Sequence, residues 1–138
     1  MQFSYPARLD REAEGDVVVS FRDIPEALTG AMVEAEALEL APDALATAVD
    51  FYLDQGREVP APSALEPGEV SVPLDPALAA RVLLQRSMAS QGITGRGLAK
   101  KLGKDEKTVR QMLAGKGATL NATLAALRAL GVRPTLAA

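Results

Sequence analysis

The residues with the clearest chemistry are cations gathered in the last third of the chain. All five lysines lie between Lys100 and Lys116, and residues 91–138 carry nine Lys or Arg against two acidic residues, a net charge of +7. Because ammonium and guanidinium groups bind phosphate oxygens, this cluster favours a polyanionic ligand such as a nucleic acid. The alternative is an ordinary solvated surface of the same charge.

The first half of the chain has the opposite charge. Residues 1–73 contain four Lys or Arg and fifteen Asp or Glu, a net charge of −11, although the whole chain carries only −3. An acidic front joined to a basic tail suggests two different partners.

Composition narrows the possible chemistry. The 138 residues include no Cys and no His, which excludes disulfides, thiolate metal sites and His-dependent catalysis. We therefore predict no catalytic residue, metal ligand or cofactor. The chain has no apolar run of about 18 residues and no secretory signal pattern at its start, so we expect a cytoplasmic protein without a membrane span.

The acidic half predicts two strands, a helix and a final strand. Apolar residues alternate over residues 3–9, and residues 17–21 are β-branched and aromatic, which is typical of a hairpin closed by the polar turn at 11–16. Helical spacing of apolar residues runs over residues 33–55, and a short strand is predicted at 69–72.

Prolines interrupt the predicted helix of this half and the segment that follows it. Pro42 falls within the helical pattern, where it lacks the amide for an intrahelical bond, so we expect a kink near Ala41 or two abutting helices. The proline-rich residues 59–67 predict an extended connection. A domain boundary near Pro73 gives two predicted domains, 1–73 and 74–138.

The basic half predicts four short helices. Asp75, Asp105 and Thr119 are suitable N-terminal caps, and a glycine follows each helix. The predicted helices begin at Pro76, Thr94, Asp105 and Thr119 and end before Gly92, Gly103, Gly115 and Gly131. Turns of two to five residues would make these helices a compact bundle.

The stretch TGRGLAKKLGKDEKTVRQML, residues 94–113, resembles the helix-turn-helix of the phage-repressor (Cro/C1, XRE-like) superfamily. Ala99 is small where two helices cross closely, and Gly103 permits a left-handed turn. Leu98, Val109 and Met112 would form the core beneath the motif.

This resemblance implies that the third helix of the bundle enters the major groove. The residues that it places on base edges are Glu106, Lys107 and Gln111. Those that it places near phosphates are Thr94, Arg96, Lys100, Lys101, Lys104, Arg110 and Lys116. Gly95 stands where the family usually has a Gln, and Gly97 is also unusual in a helix.

A second resemblance rests on Tyr5-Pro6, then on VVVSFRDIPEALTG (residues 17–30) and EAEALELAPDALATAVDFYLDQGREVPAPS (residues 34–63). On these residues the front half resembles the HicB antitoxin family. This resemblance implies a degenerate RNase H-like ββαβ domain that binds and masks a HicA-like toxin, a small basic ribonuclease with a double-stranded-RNA-binding-domain-like fold. A repressor helix-turn-helix behind this domain is one of two arrangements in the family.

Negative charge suits a basic toxin, because it speeds the association of opposite charges. The acidic residues that we predict at the toxin interface are Asp23, Glu26, Asp50, Asp54 and Glu58. At Met32-Val33 the family generally has a small polar helix cap, and we expect Met32 to fill a gap in the core instead.

The RNase H-like outline does not predict a nuclease. Such chemistry needs clustered carboxylates around Mg²⁺, with one on the first strand. Residues 5–9 contain no carboxylate, and Asp10 and Asp16 flank a turn. We expect a binding protein.

The predicted fold is α+β, with a degenerate RNase H-like ββαβ domain followed by an all-α helix-turn-helix bundle. The predicted function is that of a type II antitoxin that masks a HicA-like toxin and represses its own operon on double-stranded operator DNA. We expect a homodimer or a higher even-numbered oligomer, formed through the apolar residues 120–136. The alternative is a stand-alone transcriptional regulator whose front domain dimerises or senses a ligand.

Overall fold

The computed structural model describes residues 3–117 and 119–135. Four strands and five helices lie within these residues, and together they form a mixed α/β protein. In chain order they are β1 (Ser4–Arg11), β2 (Val17–Ser20), β3 (Leu28–Ala31), α1 (Glu34–Asp54), β4 (Glu69–Pro73), α2 (Pro76–Gln91), α3 (Gly95–Leu102), α4 (Glu106–Leu113) and α5 (Leu120–Ala129). Among the residues described, no helix has the length and apolar character needed to cross a membrane.

The described residues divide into two compact units. The first contains the residues up to Phe51 together with Val59–Asp75, and the second contains Tyr52–Glu58 together with the residues from Pro76 onward. The second unit is therefore discontinuous in sequence. Within it, the Gln85 side chain donates a 2.8 Å hydrogen bond to the Arg57 carbonyl, and the Arg57 guanidinium lies 4.1 Å from the centre of the Tyr52 ring.

The four strands form one antiparallel sheet in the order β3-β2-β1-β4. Tyr5 on β1 pairs with Val72 on β4, and Val19 on β2 pairs with Thr29 on β3. Tyr5 and Val19 are fully buried, and Val72 is nearly so. These three side chains share one face of the sheet, because paired residues and alternate residues of a strand point to the same face. The predicted hairpin and final strand are confirmed.

The third strand, β3, corrects the expected ββαβ order to βββαβ. Its sequence, Leu-Thr-Gly-Ala, has no apolar alternation and contains a glycine, so no local signal predicts a strand. The strand forms because it pairs with β2. A Cβ added to Gly30 would lie 3.0 Å from the Val17 carbonyl oxygen, so a side chain there would have to displace the paired strand by a few tenths of an ångström.

The long helix α1 is continuous through Pro42, so the alternative of two separate helices is wrong. Its buried positions include Ala37, Ala41, Leu45 and Val49, which recur at the spacing of one helix face. The expectation for Met32 is also wrong. Its side chain is 74% exposed just before the helix and fills no core gap.

Polar side chains fix the connection between α1 and β4. Both carboxylate oxygens of Asp23 accept hydrogen bonds from Ser63, at 2.8 Å from its amide and 2.6 Å from its hydroxyl. Arg22 binds both carboxylate oxygens of Glu69, at 2.9 and 3.0 Å. The hydrogen bond from Arg22, helped by one from the Glu66 amide, lowers the pKa of Glu69, and the pKa of Arg22 is raised in return.

Helices α2 to α5 have the four predicted positions. Their buried contacts form one core, to which each helix contributes. The residues of this core are Ala80, Leu84, Leu98, Ala99, Val109, Met112, Ala126, Leu127 and Leu130. The predicted caps Asp105 and Thr119 accept hydrogen bonds from the amides of Thr108 and Ala122, at 2.7 and 3.0 Å.

Candidate functional sites

Two consecutive helices, α3 and α4, carry most of the cations predicted to bind DNA. Helix α3 begins after Thr94, whose hydroxyl accepts a 3.0 Å hydrogen bond from the Gly97 amide. It ends at Gly103, which has the left-handed conformation (φ 66°) that L side chains disfavour. The chain then turns, and Asp105 caps α4.

Apolar side chains hold these two helices in place. Leu98 and Val109 are fully buried, and Ala99 and Met112 are nearly so. The predicted core of the motif is therefore confirmed. Since these side chains occupy the inner faces of α3 and α4, the polar residues between them point outward.

The structure leaves every predicted DNA-contact residue exposed. On α4, Lys107 and Gln111 are four residues apart and so share one face of the helix. The full exposed set is Thr94, Arg96, Lys100, Lys101, Lys104, Glu106, Lys107, Arg110, Gln111 and Lys116. They lie on α3, on α4 and on the three loops that border these helices.

Glu106 lies close to two arginines on this surface. One carboxylate oxygen lies 3.5 Å from Nε of Arg96, and the other lies 3.7 Å from a terminal nitrogen of Arg110. These three residues, together with Thr94, line a surface depression of about 370 Å³. A predicted base-reading residue thus pairs with two predicted phosphate-binding residues.

Sequence reasoning missed Arg81 on α2, whose guanidinium lies at the C-terminal end of α4. A guanidinium nitrogen of Arg81 donates to the Leu113 carbonyl at 3.4 Å. A Cβ added to Gly115 would lie 2.9 Å from the same guanidinium, so Arg81 occupies the space that a side chain there would need. Arg81 and Leu113 are 32 residues apart, and no local pattern could connect them.

The five acidic residues predicted at the toxin interface do not share one unit. Asp23, Glu26 and Asp50 lie in the first unit, whereas Asp54 and Glu58 lie in the segment that belongs to the second. Asp23 is only 11% exposed, and Ser63 occupies both of its carboxylate oxygens. The other four are exposed.

An apolar groove of about 480 Å³ lies between β3 and α1 in the first unit. Its most exposed apolar side chains are Leu28, at 62%, and Phe51, at 50%. The residues lining it are Glu26, Leu28, Thr29, Leu40, Asp43, Ala44, Thr47, Ala48 and Phe51. Sequence reasoning missed this groove, because one of its walls is the strand that no local signal predicts.

Comparison with known proteins decides the family. A family model described as the HicB_like antitoxin of bacterial toxin-antitoxin system matches residues 4–82. The chain belongs to this HicB-like antitoxin family. The match covers the whole sheet, α1 and the first part of α2.

Curated relatives agree with this assignment of the HicB-like chain. It is 38% identical to Antitoxin HicB of Escherichia coli (strain K12) over 128 residues, which are 92% of this chain and 93% of that one. It is 40% identical to Antitoxin HicB 2 of Photorhabdus laumondii over 128 residues, 92% of this chain and 90% of that one. With Antitoxin HicB of Pseudomonas fluorescens it shares 32% identity over 114 residues, 82% and 77% of the two chains.

The HicB part of the predicted resemblance is therefore confirmed. The relatives are named as antitoxins and not as enzymes, which agrees with the prediction of a protein without catalytic activity. The Cro/C1 type of the helix-turn-helix stays a prediction.

Proposed function

We propose that this HicB-like antitoxin masks a small basic HicA-like toxin with residues 1–73 and represses its own operon by binding operator DNA with residues 74–138. The observation that carries the proposal is the segregation of exposed charge along the chain. Carboxylates dominate the outer positions of α1, and cations dominate those of α3 and α4. A polycationic enzyme and a polyanionic duplex need opposite surfaces, and this chain has one of each.

The DNA-binding half of the proposal rests on the exposed face of α4. Val109 and Met112 hold the helix by its buried face, while Lys107 and Gln111 remain exposed on another. Lys can donate to guanine O6 and N7, and Gln can bind adenine through two hydrogen bonds, so this face offers direct base readout. The cations of α3 and its loops supply phosphate contacts, which orient the helix but do not select sequence.

The toxin-masking half rests on α1. This helix contains six Asp or Glu and no Lys or Arg, and all six carboxylates are exposed. Since opposite fields accelerate encounter, such a helix favours the capture of a basic ribonuclease. Masking needs only stable occupation of the toxin surface and no chemistry.

We also propose that the protein acts as a dimer or a higher even-numbered oligomer. Dimers of helix-turn-helix proteins read half-sites about one helical turn apart, so the operator would be palindromic. The exposed side chain of Leu120 on α5 is available for such a contact. Leu136, also predicted at this interface, lies outside the described residues.

DNA binding is tested with the full-length protein and two duplexes, one from its own promoter and one of scrambled sequence. Fluorescence anisotropy over a range of salt concentrations should show tighter binding to the promoter and an affinity that falls with salt. K107Q should lose about 1–3 kcal/mol of discrimination between the duplexes. R11Q is the matched control, because it removes one exposed cation from β1, outside both the motif and the predicted oligomer interface. Equal affinity for both duplexes would contradict operator recognition.

Toxin masking is tested first by searching the neighbouring reading frames for a small basic protein, and then by expressing that protein with and without the antitoxin. Growth arrest by the neighbour alone, relief on co-expression and a complex that co-purifies are the expected results. If the neighbour binds nothing while the promoter is still recognised, the stand-alone regulator becomes the better description.

A further inference from the structure

The groove between β3 and α1 is an apolar surface open to solvent. Leu28 and Phe51 are each at least half exposed, and both line the same groove with Leu40. Scattered exposed apolar side chains are ordinary, whereas several that share one concavity mark an interaction site.

The strand that forms one wall of this groove is an edge of the sheet. In the order β3-β2-β1-β4, β3 has β2 as its neighbour on one side only, within the part of the chain that the structure describes. Natural edge strands are usually protected by Lys, Pro or a bulge. The four residues of β3 include no charge and no proline. Groove and edge together therefore form one continuous surface suited to a partner.

Charge around the groove selects the kind of partner. Glu26 and Asp43 lie on its lining, and α1, which forms its other wall, contains six Asp or Glu and no Lys or Arg. A symmetric contact with a second copy would bring this acidic rim against itself, since the same patch meets itself across a twofold axis. A cationic partner would instead be attracted electrostatically by the same acidic rim.

We infer that the groove is the anchor pocket for the cationic toxin. An apolar side chain of the toxin would insert between Leu28 and Phe51, and flanking Lys or Arg side chains would pair with Glu26 and Asp43. The inference rests on the proposed toxin-masking function and assigns it to a surface. It also moves the interface from the acidic residues predicted from sequence to an apolar centre with an acidic rim, the usual arrangement of binding energy in interfaces.

The test uses the full-length antitoxin and, as the probe, a catalytically inactive variant of the small basic protein encoded beside it. F51S and L28S should each weaken the complex by about 30-fold in calorimetry, which is the loss expected for an anchor residue. L65S is the matched control, because Leu65 is 53% exposed and lies off the groove. D43N should slow association, and its effect should shrink at high salt.

The outcomes separate the inference from the function on which it rests. If the wild type does not bind the probe, the toxin-masking function fails and the anchor pocket fails with it. If the wild type binds and F51S, L28S and L65S all bind equally well, only the anchor pocket is wrong. A change in oligomeric state of F51S without the probe would instead assign the groove to a contact between copies and overturn the inference. Unchanged promoter binding and thermal midpoint check that each variant is folded.

Discussion

Glu106 on α4 lies 3.5 Å from Arg96 on α3, and the same carboxylate reaches Arg110 one turn further along α4. All three side chains are largely solvent-exposed, so these ion pairs add little to the stability of the fold. In the proposed complex with DNA, the carboxylate of Glu106 would compete with backbone phosphates for the positive charge of both arginines.

Replacing this carboxylate should make duplex binding tighter and less selective. E106Q removes the carboxylate that faces two guanidinium groups, so we expect the affinity for scrambled duplex to rise about threefold to tenfold. The slope of log affinity against log salt concentration should become steeper by about one, as for one more released counterion. Anisotropy titrations at several salt concentrations measure both quantities. In an R96Q/R110Q background the same substitution should have little effect, and an undiminished gain there would show that Glu106 acts only through its general charge.

The two glycines of α3 and its cap should respond to alanine with opposite signs. At Gly95 an added Cβ would meet only Leu113 Cδ1 at 3.9 Å, an ordinary contact, so G95A should stabilise the protein by about 0.5 kcal/mol. At Gly103 the left-handed backbone makes alanine unfavourable, so G103A should cost about 1 kcal/mol. Urea denaturation followed by circular dichroism compares the two variants directly. A loss of stability in G95A would mean that α3 needs the glycine.

Acid should weaken the cap of α4. The hydrogen bond from the Thr108 amide, supported by the Thr108 side chain, lowers the pKa of Asp105. A carboxyl whose pKa is lowered on folding stabilises the fold above its unfolded pKa, and this contribution is lost as the pH falls through the folded pKa. Unfolding free energies of wild type and D105N, compared between about pH 6 and pH 3, should converge as the pH falls below about 4. Parallel curves would contradict the cap as the origin of the shift.

The pair between Arg22 and Glu69 should tolerate lysine poorly. Two nitrogens of Arg22 donate hydrogen bonds to the two oxygens of the Glu69 carboxylate. The single ammonium group of lysine cannot form this bidentate pair. We expect R22K to lower the thermal midpoint of the protein, while R128K, an equivalent change at an exposed site on α5, leaves it unchanged. Equal midpoints for R22K and wild type would mean that the connection before β4 is held by other contacts, such as that of Asp23 with Ser63.

The helical half could be predicted from sequence because its signals are local. Asp105 and Thr119 each lie three residues before the amide that they bind, and Gly103 follows directly on α3. Such neighbours interact whatever the rest of the chain does, so composition and spacing were enough to place these helices.

The features that could not be predicted depend on contacts between residues that are distant in sequence. Strand β3 exists because Thr29 pairs with Val19, and the connection before β4 is fixed because Arg22 meets a carboxylate 47 residues away. The ion pair between Arg96 and Glu106 needs the particular crossing of α3 and α4, which spacing along one helix does not reveal. The apolar groove could not be predicted either, because β3 and α1 form it together and no local pattern predicts β3.

The discontinuity of the second unit restricts how genes for such proteins can recombine. A single crossover near Pro73 would take Tyr52–Glu58 from one parent and the residues from Pro76 onward from the other, although both segments belong to one compact unit. A functional exchange of the basic end between two antitoxins should therefore be a two-piece graft that carries Tyr52–Glu58 along with the residues from Pro76 onward. Such a graft would divide the long helix α1, because its last residues, from Tyr52 to Asp54, belong to the second unit.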